Sequence, residues 1–332
     1  MDQSSQISFS VVLPLYNKCE SVSNSIRSIL QQSIADFELI VVNDGSSDGS
    51  EDVVAAIDDD RIRLINQANQ GVSAARNKGI AEAQYAFVAF IDADDLWHPE
   101  YLQSISDLIK LYPKESSFGT AWKSWLRHME IPTVKEPMSD DQSVQLIDYP
   151  QHSISDVIVH ICSLVVKRSV LLESGGFPVG VKIFEDQDLC CRLSQHHKIV
   201  FDPTPLVFYV KDSENRACDI RKLQPMPPFF KECEALMLLS HEKHSYNWHL
   251  KEFLVARYLQ EVSLAMQTPG ARSAGVAWLM TCRKTQLHKK RFIKAFAYLI
   301  LPSKVLQNVL SRVTNARKKQ ANTLIHKNES SV

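Results

Sequence analysis

The sequence predicts an α/β fold, a mainly parallel sheet flanked by helices, with a helical and basic C-terminal extension. Short apolar runs alternate with helical patterns four times in the first 110 residues, which is typical of parallel strands joined by right-handed crossovers. Three of these runs end in polar side chains. From Arg283 onward there are 12 Lys/Arg and one acid, so this end carries +11 and the preceding residues carry −12.

The first two strands and the helix between them follow directly from the apolar pattern. Residues Phe9 to Leu15 form a β-rich run. In the next segment Val22, Ile26, Ile29 and Leu30 fall on one face of a helix. Residues Phe37 to Val42 predict the second strand, which is followed by the Asp/Gly/Ser-rich turn at 43–49.

The third and fourth strands repeat this arrangement. A short run at Ile62 to Ile65 precedes a predicted helix that contains Gly71 to Asn77. The segment Tyr85 to Trp97 reads YAFVAFIDADDLW, an apolar run of the kind expected for a buried parallel strand.

The fourth strand ends in three carboxylates, Asp92, Asp94 and Asp95. Ligands bind outside the carboxyl ends of strands in open α/β sheets. Carboxylate oxygens suit Mg²⁺ or Mn²⁺, which protein carboxylates commonly hold together with substrate phosphates. The pattern therefore predicts a metal-bound phosphate. Alternatively, Asp94 or Asp95 caps a helix that begins near His98 and Pro99.

Five short motifs in order resemble the inverting family 2 glycosyltransferases, which have a GT-A nucleotide-sugar-binding fold. Each motif is weak alone, but their joint order, spacing and position at strand ends are specific. The resemblance covers roughly residues 7 to 212. The motifs are PLYN at 14–17, VNDGSSDGS at 42–50, GVSAARNKG at 71–79, DADD at 92–95 and FEDQDL at 184–189.

The resemblance implies a donor site for a nucleotide sugar, usually with uracil as its base. Asp44 matches the residue that hydrogen-bonds the base, and Arg76 is expected near the diphosphate, unless it is a solvated helix arginine. Asp94 would ligate the metal, and Asp92 would contact the ribose or a metal-bound water. The complete set of implied donor residues is Pro14, Tyr16, Asn17, Asp44, Arg76, Asp92, Ala93 and Asp94.

The FEDQDL motif implies the acceptor side of the reaction. Asp186 matches the general base of the family, which takes the acceptor proton while the anomeric centre inverts. Glu185, Asp188 and Trp97 are implied as acceptor-binding residues. The alternative for the three acids is a favourable interaction with a helix N-terminus. Trp122 and Trp125 either stack on an acceptor sugar or fill the core, in a stretch from Phe118 to Gln151 with little regular periodicity.

These boundaries predict a catalytic domain at residues 1–215 and a helical extension at 216–332. The domain divides into a nucleotide-binding half, 1–110, and an acceptor half, 111–215. In the extension, apolar residues from Phe292 to Val313 occur at helical spacing among basic ones, which indicates binding to an anionic membrane surface. The alternative is packing on the acidic catalytic domain or a partner. A nucleic-acid partner is not expected, because the aromatic residues lie in the apolar stripe.

The sequence and its resemblance thus predict transfer of a sugar from a nucleotide sugar, with a UDP-sugar as the expected donor, to a glycan or lipid-linked glycan in bacterial surface-polysaccharide synthesis. The seven unpatterned cysteines and the polar N-terminus predict a cytoplasmic protein, peripheral on the inner membrane through its tail. Two alternatives are a nucleotidyltransferase acting on sugar phosphates and a catalytically silent binding subunit. The first would show a Gly-rich loop where Pro14 to Asn17 stand, and the second would be expected to lack Asp94 or Asp186.

Overall fold

The computed structural model describes residues 7–129, 143–216, 226–238, 245–267 and 272–285. The strands are β1 (Phe9–Leu15), β2 (Phe37–Asp44), β3 (Ile62–Gln67), β4 (Phe87–Phe90), β5 (Leu96–Trp97), β6 (Ser117–Trp125), β7 (Gln145–Ile147), β8 (Leu164–Lys167) and β9 (Ile199–Val210). The α-helices are α1 (Val22–Leu30), α2 (Ser50–Ala55), α3 (Val72–Glu82), α4 (Tyr101–Leu111), α5 (Tyr149–His152), α6 (Arg168–Glu173), α7 (Glu185–Leu193), α8 (Pro228–Glu232), α9 (Tyr246–Gln267) and α10 (Arg272–Thr285).

These strands form one mixed sheet in the order β3-β2-β1-β4-β8-β6-β9-β5, with β7 added on β9. The first four positions are parallel, as the alternating pattern predicts. Strand β8 then runs antiparallel to both β4 and β6, and β6 pairs with β9 in parallel. The predicted α/β architecture is confirmed, and β8 connects the parallel strands β1 to β4 with β6 and β9.

Helix α3 packs unusually close to the sheet, and a glycine permits this. A Cβ built at Gly79 would lie 2.3 Å from Cγ1 of Val12, which is fully buried in β1. Any side chain there would force the helix away from the strand. The close packing fixes the height of the α3 N-terminal turns over the carboxyl end of the sheet.

Two local features differ from the sequence-based expectation. Strand β6 continues to Trp125, within a stretch whose sequence shows little periodicity. The periodicity is lost because the pairing of β6 with β9 shifts register on both sides of Ala121, which breaks the alternation of side chains. Helix α4 begins at Tyr101 with Glu100 as its N-cap. Asp94 and Asp95 lie too far upstream to cap it, so the capping alternative is wrong.

The chain divides into two compact units, residues 1–236 with 240–253, and residues 237–239 with 254–332. In the second unit the Tyr258 and Trp278 rings meet edge to face at 5.8 Å, and Cys282 contacts the Val255 carbonyl. None of the described helices is long and apolar enough to cross a bilayer, and no described cysteine forms a disulfide. The predicted basic helix, Phe292 to Val313, lies outside the described residues.

Candidate functional site

The end of β1 brings Pro14, Tyr16 and Asn17 to the carboxyl edge of the sheet. A proline fits in this central strand because β4 pairs with β1 only as far as Val12, so no strand needs a donor at Pro14. Tyr16 is 44% exposed. Asn17 has a left-handed backbone, and its side-chain oxygen accepts from the Ser47 amide at 2.8 Å. Asn17 thereby joins this edge to the loop after β2.

The loop after β2 is shaped by its own polar side chains. Asp48 accepts hydrogen bonds from the Cys19 amide and from the amide and hydroxyl of Ser50, at the start of α2. Burial opposes ionisation of Asp48, but these hydrogen bonds lower its pKa to about 2. The Ser50 hydroxyl also accepts from the Lys18 amide at 2.8 Å. Much of the NDGSSDGS motif therefore builds the loop itself.

Asp44 is buried at the end of β2 and organises the loop before α3. Its Oδ1 accepts from the Gln67 side chain and the Gln70 amide, and its Oδ2 accepts from the Gly71 amide at 2.8 Å. An ionised carboxylate has about four acceptor positions. Among the described residues, three donors occupy these positions and a fourth position accepts no hydrogen bond.

Arg76 on α3 connects two of the acidic motifs. Its guanidinium donates to Asp92 at 2.7 Å and to Glu185 at 2.9 Å, while the arginine is only 3% exposed. Burial opposes the charge of Arg76, but the two carboxylates raise its pKa. Conversely, burial alone would raise the pKa of Asp92, and Arg76 holds it below its usual value. The pair is ionised, and Arg76 is not a solvated helix arginine.

The neighbours of Arg76 hold it in place. Its guanidinium carbon lies 5.2 Å from the centroid of the Phe177 ring. Asn77, the next residue of the ARNKG motif, makes hydrogen bonds of 2.8 Å to both the amide and the carbonyl of Phe177. Three residues of the motif thus make separate contacts: Arg76 binds the acids, Asn77 binds the loop at 175–177, and Gly79 packs on β1.

Asp94 forms an ion pair with Lys18, which the sequence did not predict. The Lys18 ammonium donates to Asp94 Oδ2 at 2.7 Å, and the Ser213 hydroxyl donates to the same oxygen at 2.6 Å. Lys18 also bonds the Glu214 carbonyl. A cavity of about 240 Å³ borders Asp94 on the side of α1. Ala93, between the two acids, is buried.

The ED motif begins helix α7 after a residue with a rare backbone conformation. Phe184 has a φ of +62°, uncommon for a bulky residue, and its ring stacks on Phe230 at 6.3 Å. This turn directs Glu185 to Arg76. Burial raises the pKa of Asp186 although Arg76 opposes the shift, and burial together with Asp186 raises that of Glu185. Asp186 Oδ1 accepts from the Gln187 amide. Its Oδ2 accepts from no described residue.

Two of the sequence-predicted acceptor residues lie in the protein interior. Asp188 is 1% exposed, and its oxygens accept from Arg192 at 2.8 Å and from the Phe229 amide at 3.2 Å. Trp97 is fully buried, donates to the Cys162 carbonyl at 2.8 Å and packs on Tyr101. The structure does not bring either side chain to the surface of the site, because both are committed to internal contacts.

A cluster of Asp95, His160 and Cys162 lies beside Asp92 and Asp94, and the sequence did not predict it. Asp95 Oδ2 lies 3.9 Å from His160 Nδ1, and the potential ligand atoms of Asp95, His160 and Cys162 all lie within 4.8 Å of one another. Burial and the charges of Asp94 and Asp92 raise the pKa of Asp95 well above its usual value, which favours the protonated carboxyl. Burial lowers the pKa of His160, even though Asp92 opposes this shift. A lone His and a lone Cys carry no sequence pattern.

The chemistry of the donor set fits a hard divalent ion. Asp92 uses one oxygen for Arg76, and Asp94 uses one for Lys18 and Ser213. Among the described residues, the other oxygen of Asp94 accepts no hydrogen bond, and Asp92 has only the weak thiol donor of Cys162 as a further partner. Two such oxygens, completed by phosphate and water oxygens, are the usual environment of Mg²⁺ or Mn²⁺.

Solved structures share this arrangement of strands and helices. The crystal structure of S. aureus TarS 1-349 in complex with UDP-GlcNAc matches with a TM-score of 0.67 and 18% identity over 88% of each chain. The structure of the same segment in complex with UDP matches with a TM-score of 0.58 and 17% identity. The fold class is therefore GT-A.

Sequence comparisons relate one segment of the chain to known glycosyltransferases. Residues 10–125 match the family model described as glycosyl transferase family 2. An uncharacterized glycosyltransferase of Nostoc sp. is 41% identical over 139 residues, 41% of each chain. The putative glycosyltransferase EpsH of Bacillus subtilis is 40% identical over 98 residues, 29% of this chain and 28% of its own. Residues 10–125 of the chain are therefore similar to glycosyl transferase family 2.

A third relative carries a specific name. The UDP-Glc:alpha-D-GlcNAc-diphosphoundecaprenol beta-1,3-glucosyltransferase WfgD of Escherichia coli is 39% identical over 103 residues, 30% of this chain and 41% of its own. The matched segments span less than half of the length of each of these three relatives.

Proposed function

We propose that the protein transfers a sugar from a nucleotide-sugar donor to an acceptor hydroxyl with inversion. The observation that carries this proposal is the double ion pair of Arg76, which ties Asp92 of the DADD motif to Glu185 of the ED motif. The two motifs come from segments about a hundred residues apart, and Arg76 brings them into one crevice. An enzyme that activates a donor and deprotonates an acceptor needs this proximity.

The donor would lie over the ends of β1, β2 and β4. The remaining acceptor position of Asp44 suits the N–H of uracil, and the exposed ring of Tyr16 together with Pro14 would line the base pocket. Asn17 would shape the same edge. The planar guanidinium of Arg76 is placed to offset negative charge on the diphosphate. The UDP and UDP-GlcNAc complexes of TarS support a uridine nucleotide.

Asp94 and Asp92 would hold the divalent ion, which would supply Lewis-acid stabilisation of the leaving diphosphate. Two cationic side chains of the protein, Lys18 and Arg76, would also stabilise the leaving diphosphate. Lys18 lies on Asp94 and Arg76 on Asp92, so each carboxylate has a cationic partner beside it. These cations also favour an incoming phosphate group electrostatically.

Asp186 would take the acceptor proton. Its Oδ2 is uncommitted among the described residues, and its raised pKa makes it a stronger base than an ordinary aspartate. Glu185, held by Arg76, would orient the acceptor or the transferred sugar. Direct attack by the deprotonated hydroxyl inverts the anomeric centre. Asp188 and Trp97 have no place in this proposal, because their contacts are internal.

The acceptor proposed is a glycan or lipid-linked glycan of a bacterial surface polysaccharide. The name of WfgD, which acts on a diphosphoundecaprenol-linked sugar, supports a lipid-linked acceptor. The basic stripe of the C-terminal tail would hold the enzyme on an anionic membrane face where such acceptors are anchored. We place the protein in the cytoplasm, where it would act at the inner membrane.

Incubation of the full chain with a panel of nucleotide sugars, with Mg²⁺ or Mn²⁺, tests the proposal. We expect release of a nucleoside diphosphate, fastest for a UDP-sugar, and a product whose anomeric configuration by NMR is opposite to that of the donor. Release of pyrophosphate from a nucleoside triphosphate and sugar phosphate would instead identify a nucleotidyltransferase. Binding of UDP without turnover across the panel would identify a silent binding subunit.

A further inference from the structure

Three aromatic rings meet on one face of the β6–β9 pair. The ring centroids of Trp122 and His160 are 5.6 Å apart, those of His160 and Tyr209 are 5.1 Å apart, and those of Trp122 and Tyr209 are 5.9 Å apart. Trp122 pairs with Val207, so Tyr209 lies diagonally across on the same face of the sheet. We call these three residues the aromatic cluster.

The aromatic cluster is partly open to solvent, unlike the core aromatics. All three residues are half-buried, whereas Trp97, Phe118 and Phe208 are fully buried or nearly so. The Trp122 indole N–H already donates to the Val157 carbonyl at 2.9 Å. The polar edge of Trp122 is therefore satisfied, and its exposed part is apolar ring surface. Arg216 lies over the Tyr209 ring at 5.5 Å and donates to the Tyr209 hydroxyl at 3.0 Å.

The aromatic cluster lies next to the acids of the DADD motif. His160 Nδ1 is 3.9 Å from Asp95, and the Val210 amide, one residue after Tyr209, donates to Asp95 at 3.1 Å. Three residues further on, Ser213 bonds Asp94. In the sheet, β6 and β9 lie beyond β4 on the side away from β1 and β2, where the nucleotide is proposed to lie. The aromatic cluster thus flanks the acids from the acceptor side.

We propose that Trp122, His160 and Tyr209 form the subsite that binds the acceptor sugar ring. A pyranose has an apolar face of C–H groups and a rim of hydroxyls, and such a face packs well on amphipathic aromatic rings. Ligand sites combine aromatic surface with a few polar groups in this way. The inference deepens the proposed function, on which it rests, by naming residues that would select a sugar over a non-carbohydrate acceptor.

Saturation-transfer NMR on the full chain tests this subsite with defined probes. The probes are UDP with Mg²⁺, and methyl glucopyranoside, methyl galactopyranoside and methyl N-acetylglucosaminide as sugars. The variants Trp122→Leu and Tyr209→Leu remove ring faces but keep apolar volume. Trp125→Leu is the matched control, because Trp125 is a half-buried tryptophan on the same strand but the opposite face, where it packs on Phe208 at 4.7 Å.

We expect at least one pyranoside to receive saturation through the C–H face of its ring in the wild type. The two cluster variants should weaken its binding at least about fivefold, within the range for loss of an aromatic contact, and leave UDP binding unchanged. The control should bind both probes normally. Failure of all three pyranosides to bind the wild type, or unchanged pyranoside binding by both cluster variants, would overturn the inference.

Two further readouts separate this inference from the proposed function. Loss of UDP binding in the cluster variants, with melting temperatures unchanged, would place the aromatic cluster in the donor site and also overturn the inference. The wild-type chain should release UDP slowly from its donor in water without any acceptor. If it neither binds UDP nor releases it, the proposed function fails, whatever the pyranosides show.

Discussion

At the scale of single residues, Asp186 combines three properties that a general base needs. It lies in the first turn of α7 beside Glu185, keeps one oxygen uncommitted among the described residues, and has a raised pKa. Replacement by asparagine keeps its size but removes its ability to accept a proton. We expect Asp186→Asn to lower the transfer rate at least about 100-fold, with donor binding retained in calorimetry. Asp107→Asn, at an exposed position of α4, is the control.

The pH dependence of the reaction should report the same group. Because burial raises the pKa of Asp186, its carboxyl stays protonated to a higher pH than an ordinary aspartate, whose pKa is about 3.9. The rate should therefore fall as the pH is lowered through this raised pKa, and the acid limb of kcat/KM should lie above the ordinary position. An acid limb that persists unchanged in Asp186→Asn would assign it to another group.

Asp94 is the residue with which the proposed metal dependence can be tested. We expect UDP release from the donor only with Mg²⁺ or Mn²⁺, and Asp94→Asn should lose most activity because it removes a charged oxygen ligand. Its melting temperature should stay close to that of the wild type if Lys18, freed from the ion pair, turns to solvent. Full activity of the wild type in excess EDTA would contradict this assignment.

Residue identities were predictable from the sequence only where they formed local motifs. Asp92, Arg76 and Glu185 belong to such motifs, and the structure brings them within hydrogen-bonding distance. Lys18 and Ser213 reach Asp94 from positions 76 and 119 residues away, and nothing near them in sequence marks that contact. Asp188 shows the opposite case. Its position in an acidic motif suggested an acceptor-binding residue, but the sequence does not reveal that its carboxylate contacts Arg192 and the Phe229 amide.

At the scale of elements, the packing of α3 on β1 depends on Gly79. Two effects oppose each other in Gly79→Ala. Alanine favours a helix by about 1 kcal/mol, but its Cβ would lie 2.3 Å from a methyl of buried Val12. Overpacking of this kind costs about 1–3 kcal/mol. We expect a net decrease in the free energy of unfolding, measured in urea.

A double-mutant cycle separates these effects. Val12→Ala creates space, so Gly79→Ala should destabilise the Val12→Ala background less than the wild type, with a coupling of at least about 0.5 kcal/mol. Ala81→Gly, at an exposed position of the same helix, measures the propensity term alone. Additive effects of the Val12 and Gly79 substitutions would show that α3 relaxes without contacting β1.

The strands of the parallel half were predictable because a strand covered on both faces is continuously apolar. Strands β1 and β2 and helix α1 lie where the apolar runs indicated. Strand β6 was not predicted because its register shifts interrupt the alternation that identifies a strand, and its ladder partners on β9 lie about 80 residues away.

At the scale of the whole molecule, the separation of charge leads to a prediction for the tail. Neutralising Lys304, Arg312, Arg317, Lys318 and Lys319 to glutamine should weaken binding to vesicles of anionic lipid, because each basic residue near such a surface is worth about 1 kcal/mol. UDP release in solution should be nearly unchanged. Co-sedimentation at low and at physiological salt measures this. Lys78→Gln with Lys110→Gln, which removes exposed charges before residue 120, is the control.

Salt should weaken binding of the wild type without abolishing it, since charge attraction is screened within about 8 Å at physiological ionic strength while the apolar stripe is not. If the wild type ignores anionic vesicles at low salt, or if the glutamine variant binds as well as the wild type, the tail packs on protein instead. The sequence could predict this tail only from charge and periodicity, which do not distinguish a lipid surface from a protein one.

The long-range contacts of the acids have a consequence for synthesis of the chain on the ribosome. Arg76 meets Glu185 across 109 residues, the Asp95 carboxylate meets the Val210 amide across 115, and Asp94 meets Ser213 across 119. A nascent chain that has emerged only through residue 125 contains every acid of the DADD motif but none of these later partners. Domains form from the N-terminus as they are made. The emerging segment can therefore pair Asp92 with Arg76 and Asp94 with Lys18, but it lacks the Val210 and Ser213 donors until residues 160–213 arrive.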